Sequence, residues 1–208
     1  MYHICIIIEI ERLSVIDMEN LFLRGFLRQL RPAAMLLLAM TLLCGVIYTG
    51  ALTCIAQLAF PRQANGSVIA VTLKDGTKRD YGSALIAQEF TGPGYLIGRP
   101  MAVSNLSPVS AAQAELVRRR ADRWRALEPG NSADIPADLV TASGSGADPY
   151  ISPAAARYQA ARIAKARNMS EADVLAIIDK YTSGRFLGFI GERGVNVLRV
   201  NLALDGLI

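Results

Sequence analysis

A mixed α/β extracytoplasmic domain behind one N-terminal transmembrane helix is the fold class that three features of the 208-residue sequence predict. A long uncharged run lies near the N-terminus, a β-rich stretch closed by an Asp-Gly turn follows it, and serine-headed helical patterns fill the second half. Composition agrees. With 52% hydrophobic residues and a mean hydropathy of +0.30, the chain is too apolar for an ordinary soluble domain, and it is too short for a polytopic transporter.

The run from Pro32 to Pro61 holds no charged residue, and its 28 intervening residues would extend roughly 42 Å as a helix, more than the hydrocarbon core of a bilayer. A cleaved secretory leader has an apolar core about half as long, and Leu58-Ala59-Phe60-Pro61 offers no small-x-small cleavage site, so an uncleaved anchor is the better reading. Arg24, Arg28 and Arg31 precede the run with no acid after Glu19. By the positive-inside rule residues 1–31 are cytoplasmic, 32–60 span the membrane and 61–208 lie outside, a bias that Arg62 weakens without reversing. Ile4 to Ile10, interrupted by Glu9, is too short to span. It reads as an interfacial segment or, preferably, as the product of a start codon placed too early, with Met18 the first residue.

Outside the span the elements follow in order. Residues 67–73 are β-rich and run into Lys74-Asp75-Gly76, a hairpin turn. After Gly92-Pro93-Gly94, the segment Leu96-Ile97-Gly98-Arg99-Pro100 is expected to form a short strand. Ser110 with Gln113 caps a helix through Leu127, with an inward stripe of Ala114, Val117, Ala121, Trp124 and Leu127. Ser152-Pro153 opens a helix to about Asn168, and Ser170 caps a third that ends near Thr182-Ser183-Gly184. Alternating Val, Leu and Asn over 195–204 predict a closing strand.

Chemistry is constrained mostly by what is missing. His3 is the only histidine, and of three cysteines Cys44 and Cys54 lie in the span and Cys5 in the N-terminal tail. The external domain therefore has no histidine base, no disulfide and no cysteine zinc site; no catalytic residue and no metal ligand is expected. No Gly-x-x-x-x-Gly-Lys-Ser/Thr loop occurs, and Ser143 spoils a nucleophile elbow at Gly144-Ser145-Gly146. Tyr181 interrupts an Asp-Lys-Thr-Gly phosphorylation motif at 179–184, and there is no potassium filter sequence. No nucleic-acid partner is expected.

Three surfaces remain. Arg118, Arg119, Arg120, Arg123 and Arg125 form a basic helix face, either simply solvated or meeting anionic lipid or an acidic partner. Thr41, Gly45, Thr49, Thr53 and Gln57 recur every four residues, a small and polar stripe that another transmembrane helix can approach closely; equally, the threonine hydroxyls can bond their own backbone. Residues 138–156 pack two Ser-Gly turns, an Asp-Pro and a Ser-Pro between helical patterns. They read as a corner and docking loop, the sharper alternative being a phosphate nest.

From Leu27 onward the chain resembles the C-subunit family of Kdp-type potassium-transporting ATPases. The matching blocks are Gly98-Arg99-Pro100, the whole of 138–156, Gln159, residues 162–168, 187–192 and 195–205. Tyr150 and Arg193-Gly194 depart from the family pattern, and the loop after Pro100 is shortened to Ser104-Asn105-Leu106 and Pro108. The resemblance implies a bacterial high-affinity potassium pump in the cytoplasmic (inner) membrane. Its partners would be a P-type ATPase subunit, a channel-like potassium-binding subunit, a small stabilising peptide and the bilayer. The chain would be a non-catalytic subunit with no cofactor of its own, a catalytic chaperone that raises ATP affinity through a transient shared ATP. The docking residues carried over are Asp138, Thr141, Ser143, Gly144, Ser145, Gly146, Asp148, Ser152 and Gln159. The competing class is a stand-alone anchored binding or sensor module; an enzyme would need a Ser-x-x-Lys or similar pair, which none of the external lysines provides.

Overall fold

The computed structural model describes residues 25–101 and 105–208. The N-terminal expectations on Ile4 to Ile10, Met18 and Arg24, and Ser104 of the shortened loop, lie outside the described residues. The chain divides into two compact units, one ending at Ala64 and the other spanning Asn65–Ile208.

The first unit is one long helix, α1 (Gly25–Ala59), followed by the single turn α2 (Pro61–Ala64). Helix α1 is long and apolar enough to cross a membrane, and none of its most apolar stretch is buried. A helix apolar on every side with no protein to cover it fits a lipid surrounding better than an aqueous one. Among the described residues it already runs ahead of Pro32, through Arg28 and Arg31, which are good helix formers. Within it, Thr41–Tyr48 adopts π-helical geometry.

The second unit opens with the hairpin β1 (Val68–Thr72) and β2 (Lys78–Ser83). Asp75 makes the turn: its Oδ1 accepts the Thr77 N–H at 2.9 Å and the Thr77 hydroxyl at 2.5 Å. Gly76 supplies the positive φ of +82°. A bulge between Ile69 and Ala70 leaves Tyr81 unpaired. Gly82 takes φ +131°, and the Gln88 side chain occupies the place where a Cβ would stand, 1.6 Å away. Only glycine fits both the conformation and the space.

Helix α3 (Ala111–Leu127) begins where Ser110 accepts the Gln113 N–H. Its inward stripe runs from Val117 through Ala121 and Leu127 to the buried Trp124; Ala114, expected on that stripe, is exposed. After α4 (Ala137–Val140) and β3 (Tyr150–Ile151), the single helix expected from 153 to 168 is two, α5 (Pro153–Tyr158) and α6 (Ala160–Arg167). They break at Gln159, whose side chain bonds the Ala155 carbonyl at 3.2 Å and competes with the helical ladder. Asn168 ends α6 in the left-handed region. Helix α7 (Glu171–Lys180), capped by Ser170, stops sooner than expected, and Thr182–Ser183 forms β4.

The expected strand over 195–204 is corrected. Only β5 (Gly194–Asn196) is extended, and Val197–Leu204 is helix α8. Val197, Val200, Asn201 and Leu204 recur at helical spacing and are all buried, so a short helix covered on several sides mimics strand alternation. The missed signal is Asn196, whose Oδ1 accepts the Arg199 N–H at 3.1 Å, as an N-cap asparagine does. Strands β3 and β4 pair antiparallel on either side of β5. Small residues at Ala155, Ala156 and Ala160 let α5 and α6 close on Ile163, Val174, Ile178, Val195 and Val200, all fully buried.

Candidate docking site

Residues 94–99 form a strap that pairs with no strand among the described residues, which corrects the strand expected at 96–100. Two side-chain amides replace the missing partner. Asn201 accepts the Leu96 N–H at 2.7 Å and donates to the Leu96 carbonyl at 2.9 Å. Gln159 does the same for Ile97, at 2.8 and 2.9 Å. Each amide mimics one rung of a β ladder, so the buried backbone of the strap is satisfied without a strand. Arg162 adds bonds to the Pro93 and Tyr95 carbonyls and to Gln159 Oε1. Gln159, grouped with the docking loop by sequence, is thus wholly inside.

Arg162 is 5% exposed and faces Glu128, 8% exposed, at 3.3 Å. Burial pulls the Arg162 guanidinium below its ordinary pKa, and the Glu128 charge pushes it back. Their facing atoms, Nε and Oε1, are aligned for an ionic contact but have no hydrogen-bond partner among the described residues. Trp124 stands over the same guanidinium, 5.9 Å from its ring centre, and donates its indole N–H to the Leu139 carbonyl at 3.1 Å. This core holds both the strap and α4 in place.

The strap delivers Arg99 to the loop. Arg99 donates to the Ala142 carbonyl at 3.2 Å and to the Thr141 hydroxyl at 3.4 Å, and stands 4.0 Å from Asp148. Thr141 in turn donates to the Ala137 carbonyl at 2.7 Å. Across the loop, Asp138 accepts the Ser152 N–H at 2.6 Å and its hydroxyl at 3.2 Å. Ser152 also caps α5 by accepting the Ala155 N–H. Asp148 accepts the Tyr150 N–H. At the loop's tip Gly146 bonds back to the Ser143 carbonyl with φ +68°, Ser143 and Ser145 hydroxyls lie 3.4 Å apart, and Ser145 accepts the Ala147 N–H. Gly144 is exposed.

The loop is therefore closed at its base and tied at its middle, and it borders a cleft of about 460 Å³ lined by Arg99, Asp138, Asp148, Ser152 and Arg193. The cleft mixes cations and carboxylates, and the hydroxyl–carboxylate contact in it, Ser152 to Asp138 at 3.2 Å, belongs to the capped start of α5. Among the described residues no three His, Cys, Asp or Glu side chains gather as metal ligands. Sequence reasoning found the loop but missed Arg99 as its tie and Asn201 as the partner of Gln159; the quoted Gly98-Arg99-Pro100 block was the available signal for the first.

The basic face of α3 divides. Arg120 turns inward to donate to the Val140 carbonyl at 3.0 Å, whereas Arg119 and Arg125 pair with Glu115 and Asp122 in exposed contacts. In α1 the stripe also divides. Thr41 and Gly45 lie in the π-helical stretch, where the ladder runs i to i+5 and residues four apart stack differently. Thr49, Thr53 and Gln57 lie in the α-helical part. The Thr49 hydroxyl donates to the Cys44 carbonyl at 2.8 Å, so this threonine bonds its own backbone. Gly45 keeps an open flank: a Cβ there would meet only Thr41, at 3.9 Å.

A family model described as the c chain of K+-transporting ATPase (KdpC) matches residues 30–206. The chain belongs to the KdpC family. Proteins named potassium-transporting ATPase KdpC subunit are similar to it over nearly their full length. One from Listeria monocytogenes is 50% identical over 188 residues, covering 89% of this chain and 99% of the relative. Those from Clostridium perfringens and Sorangium cellulosum are 48% and 50% identical, each covering 86% of this chain and 98% of the relative. The KdpC match runs from within α1 to α8, so it takes in both the long apolar helix and the Arg99 loop.

Proposed function

We propose that this chain is the single-pass, non-catalytic accessory subunit of an ATP-driven, high-affinity potassium import complex. It sits in the bacterial inner membrane with its N-terminus cytoplasmic and residues 61–208 outside. Full-length similarity to proteins named as this subunit carries the reading. The stand-alone sensor or binding module is not favoured, since nothing in those relatives' names points to it.

In this reading the stripe at Thr41, Gly45, Thr49, Thr53 and Gln57 meets a transmembrane helix of the P-type ATPase or channel-like subunit, with the small peptide nearby. The 138–152 loop docks on the outer face of the channel-like subunit. An external domain cannot reach cytoplasmic ATP, so any gain in ATP affinity travels through the membrane as a coupling free energy, and by linkage ATP must tighten the docking of this chain by the same factor. No ATP is held by this chain's own residues. Removing everything after Ala64 and measuring ATP and potassium affinity of the complex tests the tuning role; weakened affinities are expected, and unchanged values for both would sink it.

A further inference from the structure

Between β4 and β5 the chain makes a narrow hairpin, residues 184–193, whose apolar tip the docking reading does not use. Phe186 and Ile190 exchange both backbone bonds, at 2.8 and 2.9 Å, and Phe189 and Gly188 N–H groups bond the Phe186 and Arg185 carbonyls. Leu187 and Gly188 both take positive φ, +51° and +83°, the requirement of a primed hairpin turn. Leucine rarely adopts that conformation. The result is a tip whose four large apolar side chains all face out: Phe186 is 68% exposed, Leu187 70%, Phe189 72% and Ile190 50%.

From this geometry we infer that the tip is a second membrane contact, inserting Phe186, Leu187, Phe189 and Ile190 into the acyl boundary of an anionic bilayer surface, with Arg185 and Arg193 at the headgroups. Four side chains offer a few hundred Å² of apolar surface, less than the ~800 Å² per partner of a stable protein interface, yet enough to dip into lipid. The N–H groups of Phe186, Gly188, Phe189 and Ile190 bond within the hairpin, which lowers the cost of bringing this part of the turn toward lipid. Arg185 and Arg193 give cations at the base, with Glu192 already paired to Arg185 at 3.2 Å. A bilayer is present wherever the chain is, if α1 is the anchor proposed above. The inference rests on that anchoring and adds a lipid contact to it.

The test uses the full chain in vesicles of phosphatidylglycerol and phosphatidylcholine whose acyl chains carry bromine. Trp124, the only tryptophan and 4% exposed, makes the unsubstituted chain the blank. Phe189→Trp is expected to add blue-shifted emission that brominated chains quench by roughly twofold, less so in pure phosphatidylcholine. Ile190→Trp repeats the measurement should the first variant misfold. Emission at the wavelength of exposed tryptophan would overturn the proposal, as would a blue shift that bromine leaves unquenched, the mark of a protein partner or second copy covering the tip. Flotation separates the two readings. A chain that does not float with vesicles contradicts the anchor, whereas a floating chain with an unquenched tip contradicts only this inference.

Discussion

The Gln159 side-chain amide pairs with both backbone groups of Ile97, 62 residues away, at 2.8 and 2.9 Å. Removing it leaves a half-buried N–H and C=O without partners. Gln159→Ala is expected to cost about 2–4 kcal/mol, and Gln159→Glu to destabilise as well, because a carboxylate cannot donate to the Ile97 carbonyl. Urea unfolding followed by Trp124 emission measures both.

Asp138 holds Ser152 by two bonds, and Ser152 caps α5. Asp138→Ala should lower stability by about 1–3 kcal/mol, while Asp138→Asn, which keeps an accepting oxygen, should cost less. Thermal unfolding of the two variants side by side checks the order.

The Arg162–Glu128 pair is buried on both sides. Glu128→Leu leaves the guanidinium charge uncompensated, and a loss of about 3–5 kcal/mol is expected. Arg162→Met should cost more, because Arg162 also bonds Pro93, Tyr95 and Gln159. In a double-mutant cycle the combined variant should fall short of the sum of the two.

The Asp75 carboxyl is held below its ordinary pKa, first by the Thr77 hydroxyl and then by the Thr77 N–H. As pH falls below the ordinary carboxylate value the unfolded chain takes up the proton first. The hairpin's contribution is therefore present at neutral pH and is lost as pH drops through the lowered pKa. Thr77→Val should move the Asp75 titration upward, read by NMR of the carboxyl carbon.

Capping serines and the Asp75-Gly76 turn were legible because each acts within three residues of itself: Ser110, Ser152 and Ser170 all accept the N–H expected of them. The strap and α8 were not. Leu96 and Ile97 look like a strand, but their partners are amides of Asn201 and Gln159, which no local pattern announces. Over 195–204 both periods fit the same apolar residues, and Asn196 alone tips the balance toward a helix. The loop residues were named from resemblance; of them, Arg99 ties Thr141 and Asp148, across more than 40 residues, while Gln159 bonds the strap instead.

Co-purification in mild detergent, with and without Gly45→Leu, tests the central claim most directly. The substitution fills the open flank of α1 with a bulky side chain. The account predicts that the unsubstituted chain brings down a P-type ATPase and a channel-like protein with potassium-stimulated ATPase activity, and that Gly45→Leu weakens the association. A chain that purifies alone would contradict the accessory-subunit reading, and equal recovery of the partners with Gly45→Leu would contradict the stripe as their interface.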